Sequence, residues 1–158
     1  MNTIVTDFLD ELNIPYKIKD HTKPVFTSEE AAEERGVRLS QIVKTMLLTD
    51  KDDMIVMAVL PANRKVDLKK LRRLSGYKNL DFMDKEAIEK KTKLVVGAIA
   101  PIGKILKGVP TFVDPSVFNE EFLDISSGVP NAGLELQRDV LKGLLKKAIV
   151  TDITKEEK

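Results

Sequence analysis

The sequence predicts a mixed α+β fold, with a curled, mostly antiparallel and barrel-like sheet flanked by helices. Short strand-like apolar stretches alternate with amphipathic stretches of helical spacing along the whole chain. Two strand-like stretches, QIVKTMLLT and MIVMAVLPA, are joined by the polar turn DKDD, which is typical of a hairpin. No linker, repeat or low-complexity segment divides the 158 residues, so we expect a single domain over 1–158.

The first part of the chain predicts two helices and a short strand. Apolar residues at helical spacing give the first helix one buried face, formed by Ile4, Val5, Phe8, Leu9 and Leu12. Residues 16–19 follow as a strand. The second helix begins at Thr27, which has capping-box spacing to Glu30, and Gly36 supplies its stop.

Three further helices and several strands are predicted after the hairpin. An aspartate precedes each helical pattern and is expected to cap it: Asp67 for 68–76, Asp84 for 85–91 and Asp139 for 140–148. The remaining apolar stretches predict strands at 94–103, where a loop interrupts the strand, and at 111–114, 122–126, 134–137 and 149–153.

Composition excludes several kinds of site. Lysine plus arginine (26) nearly balances aspartate plus glutamate (25), so nucleic-acid binding requires a local basic patch. The absence of cysteine excludes disulfides, thiolate metal sites and a protein thiol nucleophile. No stretch approaches the roughly 20 apolar residues of a membrane span. We therefore expect a cytoplasmic protein that binds neither membrane nor DNA.

One residue of the hairpin does not fit its surroundings. Both faces of QIVKTMLLT are largely apolar, the pattern of a strand covered on both sides, yet Lys44 lies within it. In one interpretation the strand lies near an edge, and Lys44 reaches solvent along its apolar stem. In the other, Lys44 lines a pocket in which an anion or carbonyl oxygen offsets the cost of burying the ammonium.

Two loops carry further candidate chemistry. In VVGAIAPIGK, Gly97 and Pro101 interrupt an apolar strand with a loop whose useful groups are backbone N–H and C=O. In DISSGVPNAGLELQ, Ser127 and Gly128 stand at another strand end. On local grounds alone, an ordinary turn and a hairpin loop explain these two stretches equally well.

Together these stretches resemble the YbaK/EbsC family, which is related to the editing domain inserted in bacterial prolyl-tRNA synthetases. The resemblance rests on the lysine of QIVKT before a hairpin, then VDLKKL, then GAIAP, and finally the SG turn leading to GLE, in that order. It covers essentially the whole chain. It implies a single editing domain over 1–158, with a barrel-like mixed sheet, that deacylates mischarged tRNA without a metal or cofactor. The typical family substrate is tRNA(Pro) carrying cysteine or alanine.

The resemblance also implies roles for individual residues. The implied catalytic positions are Lys44, Gly97 and Pro101. Lys44 engages the charged 3′ end of the tRNA, and the loop from Gly97 to Pro101 lines the same pocket with backbone groups that orient the aminoacyl carbonyl. Such donors stabilise the oxyanion formed during attack on the ester. The implied substrate-binding positions are Thr45, Ala98, Ile99, Ala100, Ser127, Gly128 and Glu135. Many members have a second glycine and a serine in the loop, and an aromatic residue where this chain has Asp20. These departures bear on the choice of amino acid.

The attacking group is left open by the sequence. With no evident protein nucleophile, it is either water or the side-chain thiol of a cysteinyl substrate that attacks its own ester. His21, the single histidine, is a weaker candidate for a general base because DHTKP reads as a surface turn. Ala-tRNA(Pro) is the alternative substrate. A non-catalytic module that binds aminoacyl ends, or a regulatory protein, is the alternative function.

A basic cluster is the candidate contact for the tRNA body. It lies on and before the helix at 68–76 and consists of Arg64, Lys65, Lys69, Lys70, Arg72 and Arg73. A solvated helix face explains the same pattern without any ligand. So small a patch predicts weak and salt-dependent binding of tRNA, and prolyl-tRNA synthetase is the partner we expect to hold the tRNA.

Overall fold

The structure is a computed structural model that describes residues 1–51, 54–94, 98–102 and 107–156. The helices in this part of the chain are α1 (Ile4–Glu11), α2 (Ser28–Arg35), α3 (Leu68–Ser75), α4 (Lys85–Thr92) and α5 (Arg138–Leu144). The strands are β1 (Lys17–Asp20), β2 (Val43–Thr49), β3 (Val56–Pro61), β4 (Arg64–Val66), β5 (Asp81–Phe82), β6 (Thr111–Val113), β7 (Phe122–Ser126), β8 (Ala132–Gln137), β9 (Ile149–Val150) and β10 (Thr154–Glu156). None of these helices has the length and apolar character that crossing a bilayer requires.

The strands form a mixed sheet and two smaller antiparallel sheets. In the mixed sheet, of order β5-β2-β3-β6-β9, the first three strands are antiparallel and the last three parallel. The second sheet has the order β1-β8-β7, and the third pairs β10 with β4. The mixed α+β architecture and the β2–β3 hairpin are therefore confirmed. No pairing among the described residues closes a barrel, so the barrel-like form is not shown.

Apolar residues cover both faces of the central hairpin, which places β2 and β3 inside the molecule. All six residues of β3 are buried. The alternating residues of β2 are divided between two hydrophobic clusters: Val43 and Leu47 pack with residues of α1, β7, β8 and α5, while Met46 and Leu48 pack with residues of β3 and α3. Burial on both faces explains why the hairpin reads as a nearly continuous apolar run.

Three of the four predicted helix caps are confirmed. The side-chain oxygens of Thr27, Asp67 and Asp84 accept hydrogen bonds from backbone N–H groups three residues ahead. Gly36 ends α2 with a φ of 65°, which glycine adopts without steric cost. The prediction for Asp139 was wrong, because β8 runs directly into α5 and leaves Asp139 within the first turn of the helix.

The strand predictions at two places were wrong. Leu94 and residues 98–102 are not in a strand, while 95–97 and 103 lie outside the described residues. Pro101 lacks the N–H that a strand ladder needs. Of the predicted terminal strand at 149–153, only Ile149 and Val150 are in a strand, β9, which pairs with β6. Residues 151–153 are not in a strand, and β10 follows them and pairs with β4, a strand that the sequence did not indicate.

Candidate active site

A cavity of about 390 Å³ lies beside β2. Its wall comprises consecutive β2 residues, the start and inner face of α2, the β5–α4 region and single residues of other elements. These residues are Val25, Phe26, Thr27, Ser28, Glu29, Ala31, Arg35, Ile42, Val43, Lys44, Thr45, Met46, Leu47, Ala62, Phe82, Met83, Lys85, Ile88, Ile99, Asp124 and Ser126. The cavity thus combines an apolar wall with a small set of charged and hydroxyl groups, as small-molecule sites commonly do.

An unpaired strand edge gives the cavity its position. On the side of β2 away from β3, β5 pairs only with Leu48 and Thr49, and an isolated bridge joins Ile42 to Asp124. Between these two contacts, no strand of the described residues pairs with this edge of β2. The open edge explains why residues on both faces of β2, from Val43 to Leu47, reach one cavity although strand side chains alternate.

Lys44 lies at the wall of this cavity and is half-buried. It stands opposite Leu60 in the β2–β3 register. Within the part of the chain that the structure describes, no ion pair or hydrogen bond involves its ammonium group. Lys44 also lines a second cavity. Both sequence interpretations therefore capture part of its position, since the strand has an open edge and the side chain lines a pocket.

Thr45 contributes an unpaired hydroxyl to the same cavity. Its neighbours on this face of the strand, Val43 and Leu47, belong to the larger hydrophobic cluster. The Thr45 Oγ1 atom is buried and has no hydrogen-bond partner among the described residues. A buried hydroxyl without a partner carries a desolvation cost that a bound polar group would remove.

A buried ion pair also lines the cavity. The Arg35 Nη1 atom donates to the Asp124 Oδ1 atom at 2.7 Å, and the two side chains are 6% and 1% exposed. Burial raises the pKa of Asp124, although Arg35 and Lys19 oppose the rise by their positive charge. The second carboxylate oxygen, Oδ2, has no hydrogen-bond partner among the described residues.

The path of the Arg35 side chain depends on Gly133. A Cβ atom at position 133 would lie 2.6 Å from Arg35 Nε, closer than packed atoms approach, so only glycine leaves room for the guanidinium. Arg35 also donates through Nη2 to the Ala132 carbonyl at 3.3 Å and through Nε to His21 Nε2 at 3.3 Å. These contacts hold the end of α2 against the sheet that contains β7 and β8.

His21 is a partner of Arg35 rather than part of the cavity wall. Its Nε2 accepts from Arg35, so Nδ1 carries the proton and donates to the Lys23 carbonyl at 2.6 Å. With both ring nitrogens engaged, His21 has no free atom with which to take a proton from an attacking group.

The GAIAP loop reaches the cavity through one described residue. Ile99 lines the cavity, while Ala98, Ala100 and Pro101 are buried beside it. Ile99 and Ala100 belong to the larger hydrophobic cluster. Gly97, a predicted catalytic position, lies outside the described residues.

The other predicted substrate-binding residues do not line the cavity. The Ser127 hydroxyl is buried and donates to the Ala132 carbonyl at 2.6 Å, which holds its own loop together. Gly128 packs against α1, since a Cβ there would meet Thr3 at 3.3 Å. Glu135 forms an ion pair with Lys19 at 3.0 Å. Ser126, the neighbour of Ser127, lines the cavity instead.

Half of the predicted basic cluster contacts other parts of the fold. Lys70 bonds Asp152 at 2.7 Å, Arg64 bonds the Thr154 hydroxyl at 2.5 Å, and Arg72 bonds the Leu80 carbonyl at 2.8 Å. Lys69 and Arg73 are exposed on α3. Lys65 lines the second cavity beside Lys44.

Several residues of the site, among them Arg35, Phe82 and Asp124, were not predicted from the sequence. Asp124 had a local signal, because it stands between Leu123 and Ile125 in a strand, as Lys44 stands among apolar residues in its own. Within residues 1–51, 54–94, 98–102 and 107–156, no group of three or more histidine, aspartate or glutamate side chains is arranged to hold a metal ion.

Comparison with known proteins places this geometry in a family. Residues 22–144 match the family model described as the aminoacyl-tRNA editing domain. The chain is 27% identical over 154 residues to a candidate Cys-tRNA(Pro)/Cys-tRNA(Cys) deacylase, EbsC, of Enterococcus faecalis, covering 94% of this chain and 91% of that one. It is 35% identical over 96 residues to the prolyl-tRNA editing protein ProX of Acetoanaerobium sticklandii, covering 60% and 58% of the two chains.

A solved structure shares the fold. The structure of a candidate trans-editing enzyme for prolyl-tRNA synthetase superposes with a TM-score of 0.83 at 22% identity, covering 96% of this chain and 94% of that one. At this level of identity the likeness concerns the fold alone.

Proposed function

The chain belongs to the aminoacyl-tRNA editing domain family and is an aminoacyl-tRNA deacylase, and from this premise we propose that it clears Cys-tRNA(Pro) as a free-standing enzyme. The observation that carries the proposal is the cavity in which Lys44 and the Thr45 hydroxyl stand together without protein partners among the described residues. A cation and a hydroxyl that lack partners suit a ligand that brings an anionic phosphate and a polar ester. The reaction belongs in the cytoplasm, where tRNA is charged.

The proposed chemistry is cleavage of the ester between the amino acid and the terminal ribose. A nucleophile adds to the ester carbonyl carbon, the bond to the ribose oxygen breaks, and that oxygen leaves with a proton as a hydroxyl group. Lys44 neutralises charge at the 3′ end, while the Thr45 hydroxyl donates to the carbonyl oxygen as negative charge develops on it. The backbone N–H groups of the loop from Gly97 to Pro101, apart from Pro101, which has none, are the proposed source of further donors.

The proposed nucleophile comes from outside the protein. His21 is engaged by Arg35 and Lys23, and the sequence contains no cysteine. Water or the thiol of a cysteinyl substrate therefore attacks the ester. In the second route, the sulfur closes a four-membered thiolactone and releases tRNA, and water then opens the ring to free cysteine. Proximity within one residue assists this strained closure.

The choice of amino acid gives a direct test of the route. We expect Cys-tRNA(Pro) to be deacylated much faster than Ser-tRNA(Pro) or Ala-tRNA(Pro), because neither of the latter carries a thiol. A pocket that sorts by size alone discriminates among these similar side chains only modestly. The measurement is the rate of release of labelled amino acid, and alkylation of the substrate thiol should stop it. Rapid clearance of alanine would instead identify the enzyme as an Ala-tRNA(Pro) deacylase that uses water.

Replacement of Thr45 separates binding of substrate from packing. Thr45→Val keeps the shape and removes a hydroxyl that has no described protein partner, so stability should be unchanged or slightly raised. The deacylation rate should fall about a hundredfold if the hydroxyl stabilises the oxyanion. Thr45→Ser is the matched control and should retain most activity. Equal activity of the valine and serine variants would exclude a role for the hydroxyl.

Prolyl-tRNA synthetase is the proposed partner. The name of the relative ProX links it to prolyl-tRNA, and this near-neutral chain has little basic surface with which to hold tRNA alone. The predicted basic cluster is further reduced, because Arg64, Lys70 and Arg72 bond other parts of the fold.

A further inference from the structure

The second cavity beside Lys44, which we name the lysine groove, has a volume of about 380 Å³. Its lining residues are Lys44, Met46, Lys65, Val66, Leu68, Phe82 and Lys155. It shares Lys44, Met46 and Phe82 with the candidate active site, so the two spaces meet along these residues. The lysine groove therefore adjoins the candidate active site at Lys44.

The charged residues known to line the groove are all of one sign. Three ammonium groups line it, and none of the lining residues in the described part of the chain is acidic. Lys65 and Lys155 stand directly opposite each other in the antiparallel β4–β10 pair. Like charges in such a position destabilise a sheet. Neither lysine has an ion pair within the part of the chain that the structure describes, so an external anion is the group that would relieve the repulsion.

The remaining wall of the groove suits a nucleobase. Met46, Val66 and Leu68 provide an apolar surface, and Phe82 is 42% exposed. Single-stranded nucleic acid is commonly bound by this combination, in which cations follow the phosphates and an exposed aromatic ring stacks on a base.

We propose that the lysine groove binds the unpaired nucleotides next to the aminoacylated end of tRNA, with Lys65 and Lys155 on their phosphates and Phe82 against a base. The proposal rests on the proposed function, because it takes the aminoacyl ester to occupy the adjoining cavity. It places the tRNA contact on the β4–β10 pair, whereas the sequence predicted a contact centred on the helix that is now α3. Lys155 then becomes a binding residue that the sequence motifs did not indicate.

Kinetics with two substrates test the groove. We expect Lys65→Ala/Lys155→Ala to raise the KM for Cys-tRNA(Pro) about tenfold and to leave kcat unchanged, because two phosphate contacts are lost. The salt dependence of kcat/KM should become less steep by about 1.4 on a logarithmic plot, from roughly 0.7 for each contact to single-stranded nucleic acid. Cysteinyl-adenosine, which lacks those phosphates, should be cleaved equally by both proteins.

Lys146→Ala/Lys147→Ala is the matched control, since it removes the same charge from two exposed lysines after α5. It should not change the KM. The proposal is overturned if the groove variant matches the wild type on Cys-tRNA(Pro), or if it loses as much on cysteinyl-adenosine. It is also overturned if Lys69→Ala/Arg73→Ala, on the face of α3, raises the KM while the groove variant does not.

A binding measurement separates failure of this inference from failure of the proposed function. The probe is a labelled RNA minihelix with an unpaired 3′ ACCA end, compared by fluorescence anisotropy with the same minihelix lacking those nucleotides. The wild type should bind the first more tightly, and the groove variant should lose that preference. If the wild type cleaves no aminoacyl-tRNA but this preference is lost on mutation, the proposed function fails and the groove remains. Equal binding of both probes by the wild type overturns the groove.

Discussion

Lys44→Ala is expected to abolish deacylation, with kcat/KM falling by about a hundredfold or more, while the fold remains intact. The ammonium group makes no ion pair among the described residues, so its removal breaks no described charge contact of the protein. The free energy of unfolding should change by no more than about 0.5 kcal/mol, because the side chain makes none of the described contacts whose loss is strongly destabilising. Steady-state kinetics and denaturant unfolding measure the two effects separately.

Two further lysine variants test this expectation more closely. Lys44→Arg should also be inactive, because a planar guanidinium does not replace a compact ammonium at a wall shared by two cavities. Lys90→Ala, on the exposed face of α4, should retain full activity and shows the effect of losing one positive charge. Full activity of Lys44→Ala would remove Lys44 from the mechanism.

Arg35→Ala is expected to lower the free energy of unfolding by about 3–5 kcal/mol, the usual cost of removing one partner from a buried ion pair. Asp124 would remain buried without its guanidinium partner, at only 1% exposure. Gly133→Ala should have an effect of the same kind, because the new Cβ would displace Arg35. Chemical denaturation of the three proteins measures these differences.

The exposed ion pair between Arg38 and Glu120 is the matched control. Its 2.6 Å contact is as short as that of Arg35 with Asp124, but the Arg38 side chain is 69% exposed. Arg38→Ala should therefore cost little, since water screens the pair. Equal losses for Arg35→Ala and Arg38→Ala would show that burial does not strengthen the Arg35 contact. Arg35→Met combined with Asp124→Leu should regain much of the lost stability.

The decrease in the free energy of unfolding caused by Arg35→Ala should depend on pH. Burial already raises the pKa of Asp124, and removal of Arg35 eliminates a positive charge that lowers it. The ionised carboxylate is then the form that destabilises the folded state. The deficit relative to the wild type is therefore expected to shrink as the pH falls through the raised folded-state pKa of Asp124. Unfolding curves at a series of pH values test the sign.

The sequence predicted the parts of the fold that have local signals. The β2–β3 hairpin follows from two apolar runs around a polar turn, and the caps at Thr27, Asp67 and Asp84 follow from residue type and spacing. The short β4 and β10 strands escaped prediction, because three residues are too few for a periodic pattern and their pairing joins distant parts of the chain.

The same distinction holds for the candidate site. Lys44 was identifiable because a charge within an apolar strand is a local anomaly, and the family motifs then gave it a role. The partnership of Arg35 with Asp124 spans 89 positions and has no local pattern. Ser127 and Glu135 were selected by motif position, and spacing alone could not show that their side chains bond Ala132 and Lys19 outside the cavity wall.

The placement of Gly133 beneath Arg35 constrains how such a protein can diverge. Arg35, Asp124 and Gly133 support one another, so a change at any of them lowers stability unless the others change with it. Phe26 and Ile88 line the same cavity and take no part in the described contacts among these three residues. Related sequences that act on another amino acid should therefore differ first at positions such as Phe26 and Ile88. Arg35, Asp124 and Gly133 should be retained together.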